Sequence, residues 1–301
     1  MKTAWIISTF ILSSLLAAQS TKPVSAPEPG GVMIVSVARN SSVMGGGIIS
    51  SSYLPKGKVD VEPIAYVSPS GDWKGLSCYQ MDSGGESPGC KEFDRDYLSK
   101  PHDYTVVSAD GQGATVHVNR MQLDDECFGI YGKGTFSGAF IREAAVAAES
   151  AEIFTTGPSA RRLPESEAAP VRKAFAAKVG KKLDTTKELR VYAVTLEGLS
   201  LFVFQRAYQD FANKPEYKQN NGDSLGLIFA IGRMDQGHFR LLFWKENTED
   251  ENEQILGLIH LKNGRDFLVS TESDPETSSF RVYGIRDGRF GLVFTGGGGG
   301  C

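Results

Sequence analysis

The sequence is sparing with the residues that most hydrolases and metal proteins gather. Histidine occurs four times in 301 residues, at His102, His117, His238 and His260, with no two close together. None has zinc-ligand spacing, and none of the four cysteines stands in a CxxC pair. No metal site and no cofactor are expected, and each histidine reads as a packed or hydrogen-bonded side chain. No GxSxG elbow occurs: Ser137 lies in Gly132-Lys-Gly-Thr-Phe-Ser-Gly138, where the spacing is wrong. The same segment lacks the Gly-Lys-Ser/Thr ending of a phosphate loop and reads as a tight β turn. No Asp-x-Asp-x-Asp-Gly calcium pattern is present. Glu246, Glu249, Asp250, Glu251 and Glu253, like Asp124-Asp-Glu126, therefore read as solvated loop charges. There is no basic excess either: 32 Lys and Arg against 36 Asp and Glu give a net charge of −4. That balance supplies no footprint for nucleic acid or an acidic membrane surface. Past the N-terminus no apolar run is long enough for a membrane span. The balance leans against an enzyme. A secreted hydrolase stays open as an alternative, because carboxylates and histidines scattered in sequence can converge in a fold.

What is present begins with an export signal. Lys2 precedes an apolar run from Ala4 to Leu16, and Ala18-Gln19-Ser20 offers small residues at the positions a signal peptidase reads. Cleavage is expected after Ser20, placing the protein in a periplasm or outside the cell. It removes one lysine and no acid, so the mature charge is one unit more negative than −4. Cys78, Cys90, Cys127 and Cys301 all lie beyond the signal. An even count in an oxidising compartment favours two disulfides. Among the possible connectivities Cys78–Cys90 is preferred, because it closes the Ser/Gly/Pro-rich loop Asp82–Gly89. Cys127–Cys301 would then anchor a C-terminus that Gly296–Gly300 allows to reach. Trp73, Tyr79, Phe93 and Tyr97 surround the first loop. Exposed together they would form a binding patch; otherwise they are the small core under a disulfide loop.

The rest reads as mainly β. Residues 21–57 form a linker with a short strand at Val32–Val37, and Ser41–Ser52 reads as a loop. An N-terminal β region spans 58–156, its clearest signal being Tyr104–Val118, where two β-branched stretches flank Asp110-Gly111. Ala139–Ala151 suits either a strand end or a helix. A connector at 157–188 holds one helix, Glu165–Lys182, with Pro170 expected in its first turn. Val171, Phe175, Val179 and Leu183 line one face of it. From 189 to 301, Gly-containing turns at Glu197-Gly198, Asp235-Gln-Gly237, Asn263-Gly264 and Asp287-Gly288 punctuate four hairpins. These pair into two four-stranded antiparallel units, Val191–Phe243 and Gly257–Phe294. Leu201-Phe-Val203 matches Phe267-Leu-Val269, and Ile231–Phe243 matches Ile285–Phe294 with a shorter second turn. Gln209–Asp223 is a polar insert in the first copy.

Leu258-Ile-His-Leu-Lys-Asn-Gly-Arg-Asp-Phe-Leu-Val-Ser270, with Phe280-Arg-Val-Tyr283 and Gly288-Arg-Phe290, resembles a degenerate FG-GAP or integrin-type β-propeller repeat, within residues 255–301. The resemblance implies a blade-like unit. The acidic calcium loop of that family is replaced here by Leu261-Lys-Asn-Gly-Arg-Asp266, so no calcium ligands are implied. Two units do not close a propeller, so propeller-like, barrel and sandwich arrangements all stay open. The function expected is that of an exported bacterial-type protein, a non-enzymatic binding or structural β protein. Its partner would be a protein, a glycan or a small molecule, engaged through the Cys78–Cys90 loop and Gln209–Asp223. A small-ligand carrier with a β-barrel is the further alternative.

Overall fold

In the computed structural model the residues described are 31–45, 48–76, 90–109, 111, 113–124, 129–138, 144–179, 189–206, 227–247, 252–273 and 278–298. Residues 1–20, expected as a leader, and residues 21–30 of the linker lie outside them. The chain is mainly β, as its turn punctuation indicates, and builds a closed barrel followed by two stacked sheets and a helix.

The barrel uses β1 (Val32–Ala38), β4 (Lys58–Val67), β6 (His102–Val106), β7 (Thr115–Asp124), β8 (Gly129–Ser137) and β9 (Ala144–Ala148). They pair in the order β1-β9-β6-β7-β8-β4, and β1 pairs again with β4 to close the ring. The two-residue β5 (Trp73–Lys74) adds to β4. Met33, Val35 and Val37 of β1 point inward with Val59, Val61, Tyr104, Val116, Met121 and Ile130. Val32 and Ile34 point outward into a second cluster. A strand covered on both faces reads as a continuous apolar run, which explains Val32–Val37. Pro63 is tolerated inside β4 because the ladder slips there: Val35 pairs with Pro63 and Ile34 with Ala65, leaving Ile64 as the bulge.

Three local readings change. Ser41–Ser52 is a paired ribbon, β2 (Asn40–Gly45) with β3 (Ile48–Tyr53), since its two β-capable ends meet across the glycines. The ambiguous alanine-rich stretch supplies β9, whose Ala145 and Ala147 fit the narrow barrel interior. β6 and β7 pair as the expected hairpin, with a connection longer than two residues. Val107 and Ser108 leave the hairpin to bond Val146 O, and Ala109 N–H reaches Leu258 O at 3.1 Å. Burial of Val107 between layers drives that excursion; Asp110 itself lies outside the described residues.

Unit one comprises β11 (Arg190–Leu196), β12 (Leu199–Arg206), β13 (Leu227–Asp235) and β14 (His238–Asn247), with β10 (Arg161–Arg162) on its edge. Unit two comprises β15 (Asn252–His260), β16 (Asp266–Ser273), β17 (Ser278–Arg286) and β18 (Arg289–Gly296). The repeat is tighter than the sequence alignment suggested. Both final hairpins turn on two residues of positive φ, Gln236-Gly237 and Asp287-Gly288, the type I′ geometry. Both also carry a bulge at the same distance from that turn. Ile231 pairs with Phe243 and Gly232 with Leu241; Val282 pairs with Phe294 and Tyr283 with Leu292. Phe243 thus matches Phe294 as expected. Ile231, however, matches Val282 rather than Ile285, and the two turns are equal in length.

With that register the stacking follows. Phe229 and Ile231 face unit two, where they meet Leu258, Leu268 and Tyr283. Their equivalents Phe280 and Val282 face away from unit one, against Ile64, Val146 and the outer barrel wall. Equivalent faces therefore point the same way, so the units stack head to tail instead of meeting through like faces. The other face of unit one is covered by α1, the helix Glu165–Val179. Its Phe175 stacks on Phe204 at 4.2 Å and its Val171 and Val179 pack alongside. Leu183, Lys181 and Lys182 lie outside the described residues. Pro170 falls in the second turn, because the helix opens with Pro164 O accepting from Glu167 and Ala168 N–H. The order of layers is barrel, unit two, unit one, helix. No helix among the described residues is long and apolar enough to cross a membrane.

Candidate functional site

The two ends of the stack differ. At one end sit the tight turns and the loop Leu261–Arg265. There His260, buried in β15, places Nδ1 2.8 Å from Asp266 Oδ1 and Nε2 3.1 Å from Pro158 O. Asp266 Oδ2 also accepts from Glu197 N–H at 2.6 Å, tying the first turn of unit one to unit two. Both ring nitrogens face acceptors, so the ring is placed to donate twice, as an imidazolium. Burial pushes the His260 pKa down, but the Asp266 carboxylate and Pro158 carbonyl outweigh it and the pKa lies above its ordinary value. Burial likewise opposes ionisation of Asp266, and His260 with the Glu197 N–H holds its carboxyl below the usual range. This is a joint between three segments.

At the other end stop the strands that adjoin 207–226, 248–251 and 274–277, which lie outside the described residues. Here unit two departs from unit one. By the strand register Phe204, Ala230 and Leu189, which pack under α1, correspond to Ser270, Arg281 and Glu253. The Glu253 side chain is fully buried. Its Oε1 accepts from Ser270 Oγ and from Tyr283 OH, both at 2.7 Å, and its Oε2 from Arg281 Nη1 at 3.3 Å. Arg281 also pairs with Glu272, and Lys245 crosses from unit one to the same Glu272. Gln205 of unit one accepts from Ile255 N–H at 3.3 Å, adding a second tie between units. Desolvation pushes the Glu253 carboxyl above its ordinary pKa, against the pull of Ser270, Tyr283, Arg281 and Lys245. Burial and the neighbouring carboxylate raise the Tyr283 hydroxyl as well.

A buried ion network in place of leucine, phenylalanine and alanine is not explained by stability, since apolar packing of the same volume generally does as well or better. It marks this end of the stack as the candidate site. Chemically it offers a buried carboxyl raised above its ordinary pKa, two cations and two hydroxyls, at the strand ends beside those connections.

The residues singled out in the sequence are dispersed. Trp73 packs between unit two and the barrel, 5.5 Å from Phe267 and 5.8 Å from Phe294. Phe93 and Tyr97, in the short helical segment Cys90–Leu98, stack at 5.1 Å. Tyr97 continues onto His102 at 3.9 Å and its hydroxyl lies 3.0 Å from that of Tyr104. His102 is held by Tyr97 O and Glu149 Oε1. These rings pack against the barrel core, whereas Trp73 packs against the second cluster. Tyr79, Cys78, Cys127, Cys301 and Gln209–Asp223 lie outside the described residues, as does the Cys90 side chain. His117 is exposed, between Asp103 and Asn119; His238 opens β14. The Ser137 hydroxyl lies 2.6 Å from that of Thr115. Glu253 corrects its reading as a loop charge, because β15 begins at Asn252 and draws it inside. Among the described residues no three His, Cys, Asp or Glu side chains gather as a metal site.

The Glu253 network was legible in principle. Aligned through the two bulges, unit two shows polar residues where unit one has apolar ones. No protein-family model, characterised protein or solved structure matches the chain.

Proposed function

We propose that the protein is exported and works as a non-enzymatic binding protein, engaging its partner with the open end of the β stack. One observation carries this reading. The strands adjoining 207–226, by far the longest connection within the two units, stop at the end where Glu253, Arg281, Glu272 and Lys245 are gathered. Sheets covered on both faces leave ends and loops for recognition. The carrier alternative is less favoured, because a six-stranded barrel is narrower than the eight-stranded kind that side chains just fill. Its interior here holds Met33, Leu98, Tyr104 and Met121. The leader Met1–Ser20 and the pairs Cys78–Cys90 and Cys127–Cys301 belong to the same reading, that of an oxidising compartment. Likeness to an FG-GAP-type blade fits it too, since blades stack with equivalent faces pointing one way.

The test is expression with the leader in a bacterium, followed by fractionation, non-reducing peptide mapping and a chromogenic panel of esters, glycosides and phosphates. The reading expects a periplasmic or external protein starting after Ser20, Cys78 linked to Cys90, and no turnover. Retention in the cytoplasm contradicts export. Turnover that Glu253→Gln abolishes contradicts the binding role and makes the network an active site.

A further inference from the structure

The last strand of unit two, β18, ends its sheet, and among the described residues nothing pairs with its outer edge. Beyond the ladder with β17, no backbone group of Arg289–Gly296 is hydrogen-bonded among those residues. Such an edge is a row of N–H and C=O groups open to another strand, and proteins commonly blunt it with charge or a bulge. β18 carries both. Val293 is the bulged residue, left unmatched between Leu292 and Phe294, and Arg289 is exposed.

The two faces of the strand before that bulge differ in chemistry. Leu292 pairs with Tyr283, whose ring faces unit one. At 49% it is the most exposed large apolar side chain among the described residues. On the opposite face Arg289 pairs with Arg286, and Gly291 with Gly284. A Cβ on Gly291 would meet nothing within 4 Å, so there is room beside the two arginines. Arg286 and Arg289 are exposed and make no side-chain hydrogen bond or ion pair among the described residues. Like charges directly opposite each other repel, and Asp287 is the one acid in residues 284–296. Arg240, on the neighbouring β14, adds a cation that is also without an ionic partner among the described residues.

We propose that β18 accepts an added strand from a partner, an extended peptide segment in which apolar and acidic residues alternate. Its backbone would extend the ladder past Arg289–Leu292. Its apolar side chains would lie beside Leu292, and its carboxylates over Gly291 beside Arg289 and Arg286. Strand addition draws affinity from the main chain and specificity from alternate side chains. Cross-strand neighbours on one face come within about 5 Å, so each carboxylate offsets the repulsion between the two arginines. A second copy of the chain is the poorer fit, since its β18 brings the same bulge and the same arginines. The edge lies at the turn end of unit two, away from the Glu253 network, so its failure would leave the binding role of the open end standing.

The experiment is fluorescence-anisotropy titration of the full chain with an octapeptide of alternating valine and aspartate, at low and high salt, followed by amide hydrogen exchange. An octapeptide of alternating valine and lysine, and the aspartate peptide N-methylated at alternate residues, serve as controls. The aspartate peptide should bind, weaken as salt rises and slow exchange at the outward amides of Arg289–Leu292, and neither control should do so. Arg289→Glu should weaken its binding by about fivefold, the scale of one exposed ion pair. It should not lower the melting temperature, because the Arg289 side chain has no partner to lose. Leu292→Thr, a strand-compatible change at an exposed position, should weaken binding as well. No binding, equal binding of either control, or affinity undiminished in both variants would each overturn the proposal. A concentration-dependent dimer that protects the same amides without peptide would also overturn it and assign the edge to a second copy.

Discussion

Replacing His260 by glutamine should cost the protein more stability in mild acid than in mild alkali. The wild-type ring is buried and aims two nitrogens at two oxygens, Asp266 Oδ1 at 2.8 Å and Pro158 O at 3.1 Å. Both bonds are charge-assisted when the ring is protonated, and hydrogen bonds to charged groups contribute about 1.5–3 kcal/mol each. Asp266 keeps its bond from Glu197 N–H in the variant, glutamine retains one donor group, and screening at the end of the sheet weakens the pair. About 1–3 kcal/mol in all is therefore expected near pH 5.5. The pH dependence has a definite sign. The folded His260 pKa is raised above its ordinary 6.5, so its contribution is complete below that value and is lost as pH climbs through the folded pKa. Asp266, with a carboxyl held below its ordinary 3.8, contributes above that value and loses its contribution as pH falls through the folded pKa. The joint is thus strongest from about pH 4 to pH 6.5. Urea unfolding of wild type and variant at pH 5.5 and pH 9 reads this directly. A stability difference that is equal at both pH values, or larger at pH 9, would refute the imidazolium assignment.

Two further substitutions probe the layers. Phe175→Ala should cost about 3–5 kcal/mol, because the ring is fully buried and stacks on Phe204 while contacting Phe239 and Trp244. Thermal unfolding with a loss under 1 kcal/mol would mean the helix does not cap unit one. Glu253→Gln should alter the pH profile in a set direction. The wild-type carboxyl is raised above its ordinary 4.5 by desolvation, so wild type loses stability relative to the variant as pH rises through that region. A relative gain over the same interval, measured by urea midpoints, would contradict the burial argument.

How much the sequence disclosed depends on the physics of each element. Hairpins with a glycine at positive φ, such as Glu197-Gly198 and Asp287-Gly288, announce themselves because few other residues adopt that backbone. The helix was legible through Val171, Phe175 and Val179, whose spacing is local. Barrel closure was not, because the pairing of β1 with both β4 and β9 joins residues far apart in sequence and no local pattern encodes it. The ribbon at Asn40–Tyr53 was hidden by its serines and glycines, which favour turns. Direction of stacking was obscured because aligning Ile231 with Ile285 puts the two hairpins out of step. Once Ile231 is matched to Val282 through the bulges, the apolar faces and the polar exceptions at Glu253, Ser270 and Arg281 fall into place. The aromatic quartet shows the opposite limit. Nearness to one loop in sequence suggested a cluster, yet Trp73 is drawn to Phe267 and Phe294 while Phe93 and Tyr97 stay at the barrel.

The account stands on two equivalent β units lying head to tail between a helix and a barrel, and aromatic NOE spectroscopy tests that most directly. Phe243 and Phe294 are equivalent residues. The first should show contacts to Tyr283, whose ring centroid lies 5.2 Å away, and the second to Trp73 at 5.8 Å. A direct cross-peak between Phe243 and Phe294 would mean that like faces meet, and head-to-tail stacking would be wrong.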